Sequence, residues 1–111
     1  MTSPTQLTLA YFRKLGYVCD VAEYWNQFAK IRKDLFGFVD IFAMKEDQPL
    51  MAIQATSITN ISARVKKIVS LPASRIMLKT GTKIIVIGWK KNKKTKRWES
   101  KMHAISLLDY E

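Results

Sequence analysis

Two apolar runs separated by a short polar segment constrain this fold more than any other feature of the sequence. The runs cover residues 38–44 and 50–56, and the segment between them reads Lys-Glu-Asp-Gln-Pro. Each run has the length and composition of a strand, and a connection of this length is common in hairpins. The sequence therefore predicts a β-hairpin at this position.

The connection also predicts how the two strands pair. A symmetric turn over 45–49 places Phe42 opposite Ala52 and Asp40 opposite Gln54. Because side chains alternate along a strand, Asp40 and Gln54 then share one face with apolar neighbours. Directly opposite residues lie about 5 Å apart, which is close enough for a carboxylate and an amide oxygen to share a divalent ion.

An acid and an amide inside two apolar strands are costly to bury without a partner. Two interpretations of Asp40 and Gln54 are open at this point. In one they hold a metal ion, and in the other they form a structural hydrogen bond with each other and carry no chemistry.

Local signals define the other elements. Ser3, Pro4 and Gln6 form the pattern of a capping box, and Gly16 ends the helix that follows, predicted over 4–15. Alternation or helical spacing of apolar residues gives the remaining predictions. They are a strand over 17–25, a charged loop over 28–36, helices over 59–70 and from Pro72 to Leu78, a buried strand over 83–87, a basic connection over 90–97 and a last strand from Trp98 toward Ile105.

Charge is concentrated in the second half of the chain. The whole chain of 111 residues carries a net charge of +10, which favours an anionic partner, and its length fits a single domain over 1–111. Residues 1–56 are balanced, so the excess belongs to 57–111. We expect nucleic acid as the partner, DNA first and RNA second, the alternative being a surface that is basic only for solubility.

Several classes of protein and site are not expected. A lone Cys19 cannot form an internal disulfide, and no apolar run reaches the length of a membrane span. The N-terminus lacks the layout of a signal peptide, so we expect a cytoplasmic protein with no membrane partner. Because His103 is the single histidine, neither a His-rich metal site nor a Cys-His nucleophile pair is expected.

Cations after Ser57 are the expected contacts to nucleic-acid phosphates, with an affinity that falls as salt rises. Trp89 and Trp98 flank the densest run of lysines and either stack on bases or anchor the core. The predicted nucleic-acid-binding residues are Lys66, Lys67, Lys90, Lys91, Lys93, Lys94, Lys96 and Arg97.

The order helix, strand, hairpin, helix, strand, with Gly-Phe-Val-Asp-Ile at 37–41 and Ile-Gln-Ala-Thr at 53–56, resembles the PD-(D/E)XK nuclease superfamily. Its restriction-endonuclease-like and Holliday-junction-resolvase-like members have this arrangement, and the resemblance spans about residues 4–88. It implies an α/β fold with a restriction-endonuclease-like core (α-β-β-β-α-β), a mixed central sheet and here an extra C-terminal β-hairpin.

The resemblance also implies a metal site. Asp40 and Gln54 would bind Mg²⁺ or Mn²⁺, which polarises the scissile phosphate and lowers the pKa of an attacking water. Glu23 is similar to the upstream glutamate that some members add as a metal ligand, the alternative being an exposed strand glutamate. Asp34 ranks behind it, because an ion pair with the neighbouring Arg32 or Lys33 explains it more simply.

The sequence departs from the family where the motif lysine is expected, since Thr56 stands there and cannot supply a cation. Arg64 and Lys67, on the following predicted helix, are the replacement candidates, and Lys33 and Arg32 are weaker ones. The alternative interpretation of Arg64 and Lys67 is that both are ordinary solvated surface charges.

We therefore expect a Mg²⁺-dependent endonuclease acting on DNA, with branched or phage DNA as candidate substrates and a homodimer as in resolvase-like members. A phage or mobile element would be a typical source. The alternative is a non-catalytic nucleic-acid-binding protein on a degenerate nuclease scaffold. A third hypothesis is an unrelated basic RNA-binding or assembly protein in which Asp40 and Gln54 are structural.

Overall fold

A computed structural model describes residues 2–111 and shows a mixed five-stranded sheet with helices packed on both faces. Along the chain the elements are α1 (Pro4–Lys14), β1 (Val18–Val21), β2 (Tyr24–Asn26), β3 (Ile31–Lys33), β4 (Ile41–Met44), β5 (Met51–Ser57), α2 (Ile61–Val69), α3 (Pro72–Lys79), β6 (Lys83–Lys91) and β7 (Trp98–Ala104). The sheet order is β1-β4-β5-β6-β7, with β5 and β6 parallel and the other neighbours antiparallel. The predicted α/β class and mixed sheet are confirmed.

The hairpin of β4 and β5 forms in the predicted register. Phe42 lies opposite Ala52, and the ladder runs as far as Ile41 opposite Ile53. Strand β4 is shorter than predicted, because residues 36–38 form a turn. The predicted pairing of Asp40 with Gln54 does not form, since the N–H of Asp40 donates to the carbonyl of Ile53. Alternation along the hairpin sends Ile41 and Ile53 toward α1 and sends Ala52 toward the opposite half of the core.

Helix α1 covers one face of the sheet. The Ser3 hydroxyl accepts from the N–H of Gln6, and the Gln6 side chain accepts from the N–H of Ser3, so the predicted capping box is present. Trp89 is buried beneath the helix, where its Nε1 donates to Thr8 Oγ1 at 2.9 Å. Trp89 is therefore a core anchor and is not available for base stacking.

Helices α2 and α3 cover the other face, and α2 approaches the sheet at Gly88 of β6. A methyl group at Gly88 would lie 2.7 Å from Ile61 Cδ1 and 2.8 Å from the Cα of Ile58. The missing side chain lets the start of α2 lie directly on the strand. The predicted helix over 59–70 begins later than expected, at Ile61, because Ile58–Asn60 form a separate 3₁₀ turn.

The segment between β1 and β4 was predicted wrongly. A single strand over 17–25 does not form, since β1 ends at Val21 and the chain leaves the sheet before β2. The predicted loop over 28–36 contains β3, which pairs with β2 in a separate two-stranded sheet. This small sheet carries mostly exposed side chains, so it lacks the apolar alternation that reveals a half-buried strand.

The C-terminal hairpin of β6 and β7 forms as predicted, with β6 extended to Lys91 beyond the expected end at residue 87. A final 3₁₀ turn brings the Asp109 carboxylate to His103 Nε2 at 3.1 Å. Within residues 2–111 no helix is long and apolar enough to cross a membrane.

Candidate metal centre

Three carboxylates converge at one point beside the sheet. Glu23, Asp34 and Asp40 each bring a carboxylate oxygen within 4.8 Å of the other two. The chain has only nine acidic residues among nineteen basic ones. One third of the acidic residues therefore lie close enough to repel one another strongly. This repulsion requires a compensating partner.

Backbone hydrogen bonds hold Asp40 in place at the end of the hairpin ladder. Its N–H donates to the carbonyl of Ile53 at 3.0 Å, and its carbonyl accepts from the N–H of Ala22 at 2.7 Å. Its Oδ2 accepts from the N–H of Ala55 at 2.9 Å, in the position of a ladder carbonyl. Asp40 thus ends the β4–β5 pairing and fixes its own carboxylate against β5.

The small sheet brings the other two carboxylates together. Tyr24 of β2 pairs with Lys33 of β3, so the residues just outside this pair, Glu23 and Asp34, are neighbours. Arg32 forms an ion pair with Glu23 at 3.8 Å, which joins the two ends of this hairpin. Pairing of β2 with β3 is therefore what positions two of the three acids.

Gln54 completes the cluster from β5. Its Nε2 donates to Asp34 Oδ2 at 3.0 Å, and its side chain is only 2% exposed. Its Oε1 is buried without any hydrogen-bond partner among residues 2–111. The hydrogen bond between Asp40 and Gln54, one of the two interpretations of the sequence, is not formed, because Asp34 accepts the Gln54 amide instead.

An unpartnered buried oxygen on the amide that bonds Asp34, together with the three clustered carboxylates, fits a hard divalent cation. Leaving such an oxygen unsatisfied costs about 1 to 3 kcal/mol, and folded proteins rarely tolerate it. Mg²⁺ and Mn²⁺ take carboxylate and amide oxygens as ligands. The four side chains Glu23, Asp34, Asp40 and Gln54 therefore have the donor set that such an ion requires.

The electrostatics of the metal-free cluster agree with this fit. Burial raises the pKa of Asp40 to about 8, and a hydrogen bond with Asp34 and the charges of Asp34 and Glu23 act in the same direction. The N–H of Ala55 opposes the shift but does not overcome it. At neutral pH the metal-free cluster therefore holds a proton on Asp40, which a divalent cation would replace.

A groove of about 560 Å³ opens beside Asp34 and is bordered by several of the cations that were candidates to replace the motif lysine. Lys67 of α2 borders it, together with Arg32 and Lys33 of β3. Arg64 is half-buried on α2 and is not among the lining residues. The residues that line the groove are Tyr24, Arg32, Lys33, Asp34, Phe36, Gly37, Lys67 and Leu71.

Asp34 is the residue that sequence reasoning undervalued. The expected ion pair with its neighbours is absent, since the ion pairs among residues 2–111 are Arg32 with Glu23 and His103 with Asp109. Asp34 instead binds the amide of Gln54, which is twenty residues away in the chain. The signal that finds it is the pairing of β2 with β3, and that pairing is not visible in the sequence pattern.

The second basic region is the turn between β6 and β7. Lys90, Lys91, Lys93 and Lys94 border one open cavity, and Lys91 Nζ lies 5.8 Å from the centre of the Trp98 ring. Trp98, unlike Trp89, is exposed. Lys96 and Arg97 complete the turn, and Lys66 is exposed on α2, so all the predicted nucleic-acid-binding cations other than Lys67 lie outside the groove.

The chain matches no protein-family model, no curated protein and no solved structure.

Proposed function

We propose that this protein is a metal-dependent nuclease that hydrolyses phosphodiester bonds in DNA, built on a restriction-endonuclease-like core. The observation that carries the proposal is the buried, unpartnered Oε1 of Gln54, on the amide whose Nε2 bonds Asp34 in the cluster of Glu23, Asp34 and Asp40. In a chain with a net charge of +10, such an acidic point is best explained by a cation that it binds.

The four side chains would hold Mg²⁺ or Mn²⁺, with Asp34 added to the ligands expected from the sequence. When bound, the ion polarises the scissile phosphate and lowers the pKa of an attacking water. Asp40 must lose its proton for this, and its carboxylate is already oriented by the N–H of Ala55. The chain thus fixes ligand geometry in advance through backbone contacts.

The cation that Thr56 fails to supply is assigned to Lys67, with Lys33 as a second contributor. Both residues border the groove that Asp34 also lines, so a phosphate near Asp34 meets positive charge there. Such a cation stabilises the charge that develops on the phosphate oxygens. Arg64 lies outside the groove lining and is a weaker candidate.

The turn between β6 and β7 would hold DNA outside the groove. Its lysines face solvent and can contact phosphates without reading sequence. Binding through them neutralises phosphates and is expected to weaken as salt rises.

The first test is cleavage. Supercoiled, linear and branched DNA are incubated with the protein in Mg²⁺ or Mn²⁺, with EDTA as a parallel control. We expect metal-dependent cutting that Asp40→Ala and Asp34→Ala abolish and that Lys67→Ala slows. Glu46→Ala, which removes an exposed acid outside the cluster, is the matched control and should cut normally.

A second test reads metal binding without activity. Mn²⁺ should raise the unfolding temperature of the wild-type protein, because a Mn²⁺ concentration a hundred times the dissociation constant adds about 2.7 kcal/mol to the free energy of unfolding. Gln54→Leu removes the unpartnered oxygen and should reduce this gain, whereas Glu46→Gln should not. Equal stabilisation of the wild type and of Gln54→Leu would argue against the centre.

Thr56 favours a second candidate function, a nucleic-acid-binding protein that has lost catalysis. It is buried two residues after Gln54 on β5, where no cation replaces it on the same strand. Retardation of DNA in EDTA, combined with no cutting of any substrate in either metal, would establish this candidate in place of the nuclease.

A further inference from the structure

The hairpin of β2 and β3 exposes aromatic rings to solvent. The Phe28 side chain at its tip is fully exposed, Trp25 is 56% exposed and Tyr24 is 49% exposed. The same ten residues, 24–33, include three cations and no acid. Exposed aromatic rings interleaved with cations are the composition of a surface that stacks on bases and neutralises phosphates.

The tip of this hairpin has a defined turn. Asn26 Oδ1 accepts from the N–H groups of Phe28 and Ala29, each at 3.0 Å, and Lys30 adopts the left-handed backbone conformation with φ of 52°. The turn therefore presents Phe28 outward and does not fold it onto the domain. The backbone that carries Phe28 is thus ordered before binding, so presenting this ring to a base has no cost of loop ordering.

The position of the hairpin links it to the candidate metal centre. Its two ends are Glu23 and Asp34, which supply two of the three clustered carboxylates. Tyr24 borders the same groove as Asp34, Lys33 and Lys67. A nucleotide whose phosphate lies between these lysines would have its base beside an aromatic ring.

We propose that the β2–β3 hairpin is a stacking platform for unpaired bases, which makes single-stranded nucleic acid the preferred substrate of the site. In a duplex each base face is covered by its neighbours, so rings at the side of a groove reach only bases that are unstacked. The placement beside a cleaved phosphate rests on the proposed nuclease function, whereas the preference for unpaired bases is a property of binding alone.

The test measures binding in EDTA by fluorescence anisotropy, with a labelled single-stranded oligonucleotide and the duplex of the same sequence. Phe28→Ala and Tyr24→Ala should each weaken single-strand binding about five- to a hundredfold, and duplex binding less than about twofold. Phe28→Tyr keeps a stacking ring and should bind nearly as the wild type does. Ile76→Ala removes an exposed apolar side chain from α3 and should change neither affinity.

Three results would overturn the platform. The first is an unchanged single-strand affinity in both alanine variants, and the second is an equal loss for single strand and duplex. The third is a loss of binding to vesicles of phosphatidylglycerol and phosphatidylcholine in Phe28→Ala with oligonucleotide binding intact, which would make the hairpin a membrane contact.

Failure of the nuclease proposal gives a different result. A wild-type protein that cuts no substrate in Mg²⁺ or Mn²⁺ would overturn the assigned catalysis, while the binding preference in EDTA would still be measured. Because Phe28 is fully exposed, its replacement should leave the thermal unfolding curve unchanged, so lost binding would not reflect a lost fold.

Discussion

Asp40 shows how one side chain both stabilises and strains this fold. Its carboxylate replaces a ladder carbonyl for the N–H of Ala55, which fixes the end of the hairpin. The same carboxylate is buried beside Asp34 and Glu23, which disfavours its charged form. The burial of the Asp40 carboxylate beside two other acids therefore lowers the stability of the fold, and a bound cation would remove this cost.

This cost predicts a pH dependence in the metal-free protein. The folded-state pKa of Asp40 is raised from 3.8 to about 8, so its protonated form stabilises the fold at low pH. The unfolded chain releases this proton near pH 4, and stability should therefore fall as pH rises from about 4 to about 8. Above pH 8 no further loss from this group is expected.

Asp40→Asn tests this prediction, because asparagine keeps an acceptor for Ala55 and gains a donor for Asp34. In EDTA at pH 8 the variant should be more stable than the wild type by about 1 to 3 kcal/mol, with a flatter pH profile. The free energy of unfolding in urea, measured between pH 4 and 8, gives the comparison. Asp20→Asn, at an exposed site on β1, should follow the wild type, and a parallel decline in all three proteins would contradict the assignment.

Sequence reasoning selected part of the candidate metal centre. Asp40 and Gln54 could be selected because polar residues inside apolar strands need an explanation. Glu23 was selected through the resemblance to the nuclease superfamily. Asp34 ranked lower because its nearest neighbours in the chain are cations, whereas the folded chain brings it to Gln54. Local sequence shows which buried polar residues need a hydrogen-bond partner. It does not show as well which residue becomes that partner.

At the scale of elements, regular apolar patterns separate what could be predicted from what could not. The hairpin of β4 and β5 has two buried strands and a turn of defined length, so both its position and its register followed. The hairpin of β2 and β3 has strands of three residues with mostly exposed side chains. It is held by its turn and by contacts at its ends, which leave no periodic signal.

Packing of α2 on β6 depends on the absence of a side chain at Gly88. Gly88→Ala would place a methyl group against Ile61 and against the backbone of Ile58, which cannot rotate away. We expect a loss of about 1 to 3 kcal/mol in the free energy of unfolding, measured by denaturant titration.

A double-mutant cycle identifies the contact responsible. Ile61→Ala should cost less in the Gly88→Ala background than in the wild type, because it relieves part of the overlap. Rescue should remain incomplete, since the Cα of Ile58 stays in place. Additive costs in the two backgrounds would show that Ile61 and Gly88 are not in contact.

For the whole molecule, the order of elements predicted the α/β class, the mixed sheet and the C-terminal hairpin. Helical and strand periodicities follow one another clearly along the chain, and the parallel pairing of β5 with β6 follows from the helices that connect them. The overall charge was also evident from composition. The distribution of positive charge around the acidic cluster depends on the pairing of β2 with β3. The sequence pattern does not reveal this pairing, so the distribution could not be predicted.

The long axis of β6 separates two groups of lysines and allows their roles to be compared. Lys83 begins this strand and Lys79 ends the preceding helix α3, whereas Lys93 and Lys94 lie past the other end of β6. The strand is about 26 Å long at the usual rise per residue. If the turn between β6 and β7 holds DNA, only the second pair contacts phosphates. A net charge acting at long range would make the two pairs equivalent.

Replacing Lys93 and Lys94 together by glutamine should lower DNA affinity and reduce the slope of log K against log salt by about 1 to 2, because each phosphate contact releases about one counterion. The matched replacement of Lys79 and Lys83 removes the same charge and should leave the slope unchanged. Both are measured by anisotropy in EDTA between 50 and 200 mM salt, which is about the range where such contacts dominate affinity. Equal slopes in the two double variants would mean that DNA responds to the charge of the whole molecule and does not dock on the turn.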